Sequence, residues 1–339
     1  MVKKISLLFF CAVACFSSTA QFPAVVDSVY TFIKYNSVFR NKVDWQQADK
    51  EFYNCIRSGK TIDDTMNCFV DVLKRLDDVH TQISFNSRYY GYYHPVDDST
   101  FRQMKPLREK AQAAAGKIQT TILQNKFAYV LVPAINAYGK DQVNVYAQQL
   151  HETICRLGTK DIRGFIIDLR LNSGGNMYPM LTGLGALLGN TVIGYETDID
   201  NNIVRKWEIK DGNFVIGGYR ATSVTKICDP GYEQMPVAVL TGPCTASSGT
   251  MTAIAFRKRP NTIFIGEPTA DGYSTSNGYF RFAPNLVFNF ASSFVADREK
   301  NVYKTTVAPD IVIKASDNFD DLEQDNKVQA ALRWLKEKR

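Results

Sequence analysis

The sequence predicts an α/β protein in which a helical N-terminal part is packed on a mainly parallel sheet covered by helices. Three observations carry this. Apolar residues recur at helical spacing from about residue 24 to 80. Beyond about residue 105, short apolar runs alternate with helical stripes. Those runs are apolar at consecutive positions, as strands buried on both faces of a parallel sheet require.

In chain order, Lys3 and Lys4 precede the apolar run 5–15 and the small residues Ser18, Thr19 and Ala20. This is the layout of a secretion signal over residues 1–20, and the run falls short of the about 20 residues a spanning helix needs. The expected location is therefore the periplasm or the extracellular space. Ala12-Val13-Ala14-Cys15 loosely resembles a lipobox, so a membrane tether is expected only if Cys15 is lipidated.

Residues 21–85 are expected to form a helical subdomain. Val26, Val29, Tyr30 and Ile33 make one stripe, Trp45, Phe52 and Ile56 a second, and Ile62, Met66, Phe69, Leu73 and Leu76 a third. Thr61 with Asp64 three residues on caps the third helix. Residues 86–120 are a connecting segment, with a tyrosine-rich, turn-prone stretch at 88–99. The α/β domain spans 121–320 and a C-terminal helix 321–339. Within it, strands are expected at 127–132, 164–169, 237–240 and 262–265, hairpins at 192–218, and helices at about 143–157, 180–188 and 247–257.

Five cysteines follow the signal: Cys55, Cys68, Cys155, Cys228 and Cys244. Cys55 and Cys68 lie on successive predicted helices and are the expected disulfide pair, and the odd count leaves at least one thiol free. No C-x-x-C pair points to a metal and no glycine loop cradles a phosphate, so neither metal nor cofactor is expected. The net charge of +6 includes two signal lysines, and the one dense basic group is Arg257-Lys258-Arg259. It is expected to be a solvated helix end, and nucleic acid is not an expected partner.

Ligands of such sheets sit at the carboxyl ends of the strands. After 237–240 comes Thr241-Gly242-Pro243-Cys244-Thr245-Ala246-Ser247-Ser248-Gly249. Ser247 stands among small residues where strand turns into helix, half of a G-x-S-x-G elbow with Thr245 in place of the first glycine. A helix start favours developing negative charge; a plain helix cap is the other reading of the same serine. After 164–169 comes Leu171-Asn172-Ser173-Gly174-Gly175-Asn176, where two glycines allow backbone N–H groups to face a neighbouring loop.

Taken in order, Asp168-Leu169-Arg170-x-Asn172-x-Gly174-Gly175, Thr245-Ala246-Ser247-Ser248, Gly266-Glu267-Pro268-Thr269 and Pro309-Asp310-Ile311 resemble the tail-specific, carboxyl-terminal processing serine peptidases. The resemblance covers about residues 120–315 and implies a crotonase-like or ClpP-like α/β spiral. It implies a polypeptide substrate, Ser247 as nucleophile, and an oxyanion hole at Gly174, Gly175 and Ser248. The best-known branch uses a serine–lysine dyad and a PDZ domain. Here Ala270-Asp271-Gly272-Tyr273 holds no lysine, and the roughly 45 residues of 84–128 are too few for a PDZ domain. The tricorn-core-like branch uses histidine. Of the three histidines His80, His94 and His151, His80 in Asp78-Val79-His80-Thr81 matches its Asp-x-His-Thr segment. Its unperturbed pKa near 6.5 suits a general base. His94 falls in the boundary loop and His151 on an expected exposed helix flank. The resemblance also asks for an acid to orient the histidine, and Asp297 and Glu299 are the candidates nearest the last motif. The expected activity is that of an exported serine peptidase. The alternatives are a catalytically silent binding protein on the same fold and an esterase or amidase for small acyl substrates.

Overall fold

The computed structural model describes residues 22–158, 161–227 and 231–338. The expected signal segment and Cys15 lie outside these residues. Three helices come first, Phe22–Asn36, Trp45–Ser58 and Ile62–Leu76. Their starts have local causes. The Asp44 carboxylate accepts the Gln46 and Gln47 N–H groups, and Thr61 and Asp64 form the expected reciprocal capping box. The three stripes close on one another around Val29, Ile33, Phe52, Met66, Phe69 and Leu73. The Cys55–Cys68 disulfide joins the second helix to the third, as expected. Cys155 is disulfide-bonded, and Cys244 is the free thiol among the described residues.

A six-stranded sheet runs in the order Ile311–Val312, Thr262–Gly266, Val237–Thr241, Gly164–Asp168, Phe127–Leu131, Gln119–Leu123. All neighbours are parallel except the last pair, which is antiparallel. The three central strands are buried at every residue, the pattern their unbroken apolarity predicts. The helices Lys140–Gly158, Met177–Gly183 and Ser248–Phe256 cover one face through Leu150, Ile154, Met180 and Ile254. Asn326–Glu337 and Asp98–Ala114 cover the other through Val328, Leu332, Ala111 and Ala114. The fold is thus α/β with a helical N-terminal region, as expected.

Two corrections follow. Residues 86–120 are not merely a connection: they carry the helix Asp98–Ala114, whose start is capped by the Asp97 carboxylate. The segment is polar, contains Pro106 and buries only Ala111 and Ala114, so no apolar stripe announced it. The second correction is a nine-stranded antiparallel sheet, of which only the hairpin strands within 192–218 were expected. Its hub is Leu286–Ala296, which pairs with Gln82–Phe85, Thr275–Ala283, Val192–Thr197 and Val302–Tyr303. Phe288, Phe290 and Phe294 of the hub complete the core of the N-terminal helices. That packing brings the end of the third helix to the carboxyl ends of the parallel strands.

Candidate active site

The strand Val237–Thr241 turns into the helix Ser248–Phe256 through Ser247, at φ +51° and ψ −122°. A residue with a β-carbon is strained there, and such strain persists only where the surroundings fix it. They do. Thr245 Oγ1 donates to the Leu169 carbonyl at 2.8 Å and accepts the Gly242 N–H at 3.0 Å. The Ala246 N–H reaches the Asn172 carbonyl at 3.0 Å. Although Ser247 occupies the cap position, its side chain makes no cap hydrogen bond. Its Oγ lies instead 2.9 Å from His80 Nε2.

His80 follows the third helix in a turn organised by Asp78. The buried Asp78 carboxylate accepts the N–H groups of His80 and Thr81 at 3.0 and 2.9 Å and the Thr81 hydroxyl at 2.6 Å. Thr81 Oγ1 in turn accepts the Ala291 N–H at 3.0 Å, fastening the turn to the hub strand. Burial raises the Asp78 pKa against these bonds.

The other ring nitrogen, His80 Nδ1, lies 2.7 Å from Thr275 Oγ1. Asn277 Nδ2 donates to the His80 carbonyl at 3.0 Å, so its Oδ1 faces Thr275 and takes the threonine proton at 2.9 Å. Thr275 Oγ1 is left to accept from His80 Nδ1–H. This assigns the tautomer: Nε2 is bare and Ser247 donates to it. His80 is 8 % exposed, and its ring packs edge-to-face against Tyr273 with centroids 5.1 Å apart. Burial lowers its pKa to about 4.

The glycine pair approaches the serine closely. Gly174 has φ +118°, and a β-carbon on it would stand 2.8 Å from Ser247 Cβ. Gly175 has φ +105°, and a β-carbon there would meet the Ile135 carbonyl at 2.3 Å. The Gly174 N–H is spent on Asn172 Oδ1 at 3.0 Å, which removes it from the expected oxyanion donors. Gly175 N–H and Ser248 N–H have no acceptor among the described residues, and the Ser248 hydroxyl holds the Gly175 carbonyl at 2.7 Å.

Residues 126–313, more than half the chain, match peptidase family S41. The chain belongs to this family. The expected kinship with carboxyl-terminal processing peptidases is thereby borne out. A nisin-resistance protein of Lactococcus lactis subsp. lactis is 26 % identical over 301 residues, covering 88 % of this chain and 82 % of that protein. Solved structures share the fold. A lipoprotein from Streptococcus agalactiae aligns over 97 % of this chain and 100 % of its own, with a TM-score of 0.68 and 21 % identity. A putative peptidase from Parabacteroides merdae aligns over 93 % and 95 %, at 0.57 and 16 %. The photosystem II D1 C-terminal processing protease aligns over 91 % and 96 %, at 0.53 and 14 %.

In this S41 peptidase the acid expected beside His80 is elsewhere. Asp297 is buried, but its carboxylate is taken up by the N–H groups of Glu299 and Asn301, the Asn301 amide and the Tyr303 hydroxyl. It organises its own turn. Glu299 is exposed and pairs with Lys258 at 3.3 Å. Thr275 takes the place at Nδ1, and no sequence motif marked it. The signal available was the polar run Ser274-Thr275-Ser276-Asn277 shortly after Gly266-Glu267-Pro268-Thr269. His151, expected exposed, is buried on its helix, and His94 pairs on the surface with Asp77 at 2.7 Å. The basic run is not a solvated end either. Arg259 is buried and donates to the Leu187 and Tyr232 carbonyls, and Arg257 packs over Phe264 and pairs with Asp310. Among the described residues no cluster of His, Cys, Asp and Glu could hold a metal ion. Ser247 and His80 open onto a cavity of about 360 Å³, which also exposes Gly175, Tyr178, Arg205 and Tyr279.

Proposed function

We propose that this S41 peptidase is an exported serine hydrolase that cleaves peptide bonds through an acyl-enzyme, with Ser247 as nucleophile and His80 as general base. The observation that carries the reading is the 2.9 Å contact from Ser247 Oγ to a bare Nε2 whose ring is held by Thr275. As Ser247 Oγ attacks the carbonyl carbon, its proton passes to His80 Nε2. The carbonyl oxygen becomes the oxyanion between Gly175 N–H and Ser248 N–H, at the positive end of the Ser248–Phe256 helix. His80 then gives the proton to the departing amine, and water attacks the acyl-enzyme by the same steps in reverse. Thr275 accepts from Nδ1–H throughout and keeps the imidazolium in place.

Export is supported by the basic and apolar N-terminal sequence and by the Cys55–Cys68 disulfide, which persists in oxidising compartments. Similarity to a streptococcal lipoprotein favours the cell envelope, with a membrane tether only if Cys15 is lipidated. Similarity to a nisin-resistance protein makes nisin the first peptide to assay.

The test is covalent labelling with a fluorophosphonate, read by mass spectrometry. Ser247 should carry the adduct, Ser247→Ala should abolish adduct and hydrolysis alike, and His80→Ala should slow labelling at least a hundredfold. Because Ser247 makes no cap bond, Ser247→Ala should change stability by less than about 1 kcal/mol. A folded protein that neither labels nor hydrolyses peptides would sink the reading and leave a silent binding protein.

A further inference from the structure

Arg205 is the cation in the cavity that Ser247 opens onto, and its setting is built rather than loose. It stands directly across the strand pair from Glu196, at a register irregularity between Glu196 and Thr197. Irregularities of this kind re-aim side chains beside functional sites. Its stem lies across Gly217, where an added β-carbon would come within 3.3 Å of Arg205 Cγ. Its Nε donates to Glu196 Oε2. Glu196 is 1 % exposed at the side chain and Arg205 47 %. The buried carboxylate therefore anchors the guanidinium and leaves the outer end open.

The carboxylate itself is already committed. Glu196 Oε1 accepts the Ser276 hydroxyl at 2.7 Å and the Trp207 ring N–H at 3.3 Å, and Oε2 accepts from Arg205. With three donors it has little left to offer a cationic substrate. The two terminal nitrogens of Arg205 have no acceptor among the described residues. A planar guanidinium with its terminal N–H groups free matches a carboxylate in bidentate geometry.

We propose that Arg205, anchored by Glu196, selects substrates by binding a carboxylate of the peptide. This rests on the serine-peptidase reading above and names the substrate class of the same cleft. The carboxylate belongs either to the free C-terminus or to an Asp or Glu side chain. Both present the same group to the fork, so the experiment distinguishes them. Holding the anion at a fixed place also fixes which bond lies over Ser247, because an extended peptide advances about 3.3 Å per residue.

The test is cleavage profiling of a proteome-derived peptide library, one half with all carboxylates blocked as amides and one half free. The wild-type protein should cut the free half at least about tenfold faster, the low end for a half-exposed charge-assisted pair. Cuts at a constant distance from the free end identify the terminus, and an acidic residue at a constant position identifies the side chain. Either result supports the proposal. Arg205→Gln should erase the preference, and Arg205→Lys, which keeps charge without the fork, should retain part of it. If Arg205→Gln fails to fold, the lysine variant and the wild-type comparison carry the test. Equal cutting of both halves, a preference for basic residues, or a preference surviving in Arg205→Gln overturns the proposal alone, since peptides are still cut. Absence of any cutting overturns it together with the serine-peptidase reading.

Discussion

Replacing Asn277 by aspartate puts a negative charge at the end of the Ser247–His80–Thr275 chain, where many serine hydrolases place an acid one bond nearer. The chain from His80 Nδ1 to Thr275 Oγ1 to Asn277 Oδ1 has bonds of 2.7 and 2.9 Å. Laid end to end they separate the charges by at most about 5.6 Å. At an effective dielectric of about 20, that distance is worth about 3 kcal/mol, or about two pKa units. Asn277 is half-buried, so solvent reduces the gain, and a rise of about one to two units is expected. The His80 pKa should climb from about 4 to between about 5 and 6. The assay is the rate of fluorophosphonate labelling against pH, which needs no substrate. Wild-type labelling should be flat down to about pH 5, whereas Asn277→Asp should lose rate as pH falls through 6. Asn277→Ala removes the bond to the His80 carbonyl without adding charge and separates the two effects. An acid limb that stays where the wild type has it would refute the relay.

Thr275→Val should strand the buried Nδ1–H, costing about 1–3 kcal/mol of stability and at least tenfold in labelling rate, while Thr275→Ser restores both; equal loss in the serine variant would mean the methyl group matters instead. Gly174→Ala drives a β-carbon to 2.8 Å from Ser247 Cβ at φ +118°, so labelling should fall at least a hundredfold in a protein that still folds by circular dichroism. His80 also predicts a pH dependence of stability. Below pH 6.5 the unfolded chain takes up a proton that folded His80 refuses until about 4, so stability should fall across that window, by on the order of 3 kcal/mol. Asp78, whose pKa burial raises, acts in the opposite direction. The slope that disappears in His80→Asn, measured by urea unfolding, isolates the imidazole, and an unchanged slope would refute its low pKa.

The parts of the fold legible in the sequence were those whose burial is regular. The three N-terminal stripes, the unbroken strands 164–168 and 237–241 and the Thr61–Asp64 capping box each follow from a local period or a local bond. Ser247 stood out because small residues surround it where strand turns into helix, and His80 only because Asp78-Val79-His80-Thr81 resembles the Asp-x-His-Thr segment of the tricorn-core-like branch. The antiparallel sheet was illegible for a physical reason. Thr275–Ala283 alternates hydroxyl, amide, glycine and aromatic residues, and Gln82–Phe85 joins the sheet by pairing with Leu286–Ala296 about 200 positions later. Thr275 is invisible for the same cause: one hydroxyl on a strand becomes a histidine's partner only through pairing with Leu286–Ala296. Sequence motifs directed the search for an acid to residues 297–299, where the acid that exists serves a turn.

The distribution of buried charge bears on why a threonine rather than an acid stands beside His80 Nδ1. Where the glycine loop begins, Arg170 is held by Asp168, Asp317 and Asp325, and Lys327 by Glu267 and Asp317. Each cation meets two or more carboxylates, Tyr129 donates a further hydrogen bond to Asp168, and Arg170 lies over the Phe319 ring at 4.5 Å. Pairing of this completeness is what makes buried charge tolerable. It fixes the strand end from which Asn172, Gly174 and Gly175 reach toward Ser247. At His80 the opposite arrangement holds: the ring, Thr275 and Asn277 form a chain of neutral partners, each donor matched to one acceptor. A buried carboxylate in that chain would need donors of its own, as Asp78 and Glu196 have and Thr275 does not require. Burial among these neutral partners lowers the His80 pKa to about 4, which under the proposed mechanism leaves Nε2 free to take the Ser247 proton at neutral pH. On the proposed mechanism the cost falls on the imidazolium, whose Nδ1–H has only the Thr275 hydroxyl oxygen as acceptor. The Gly175 and Ser248 N–H groups, on the same mechanism, supply most of the charge stabilisation that an acid would otherwise share.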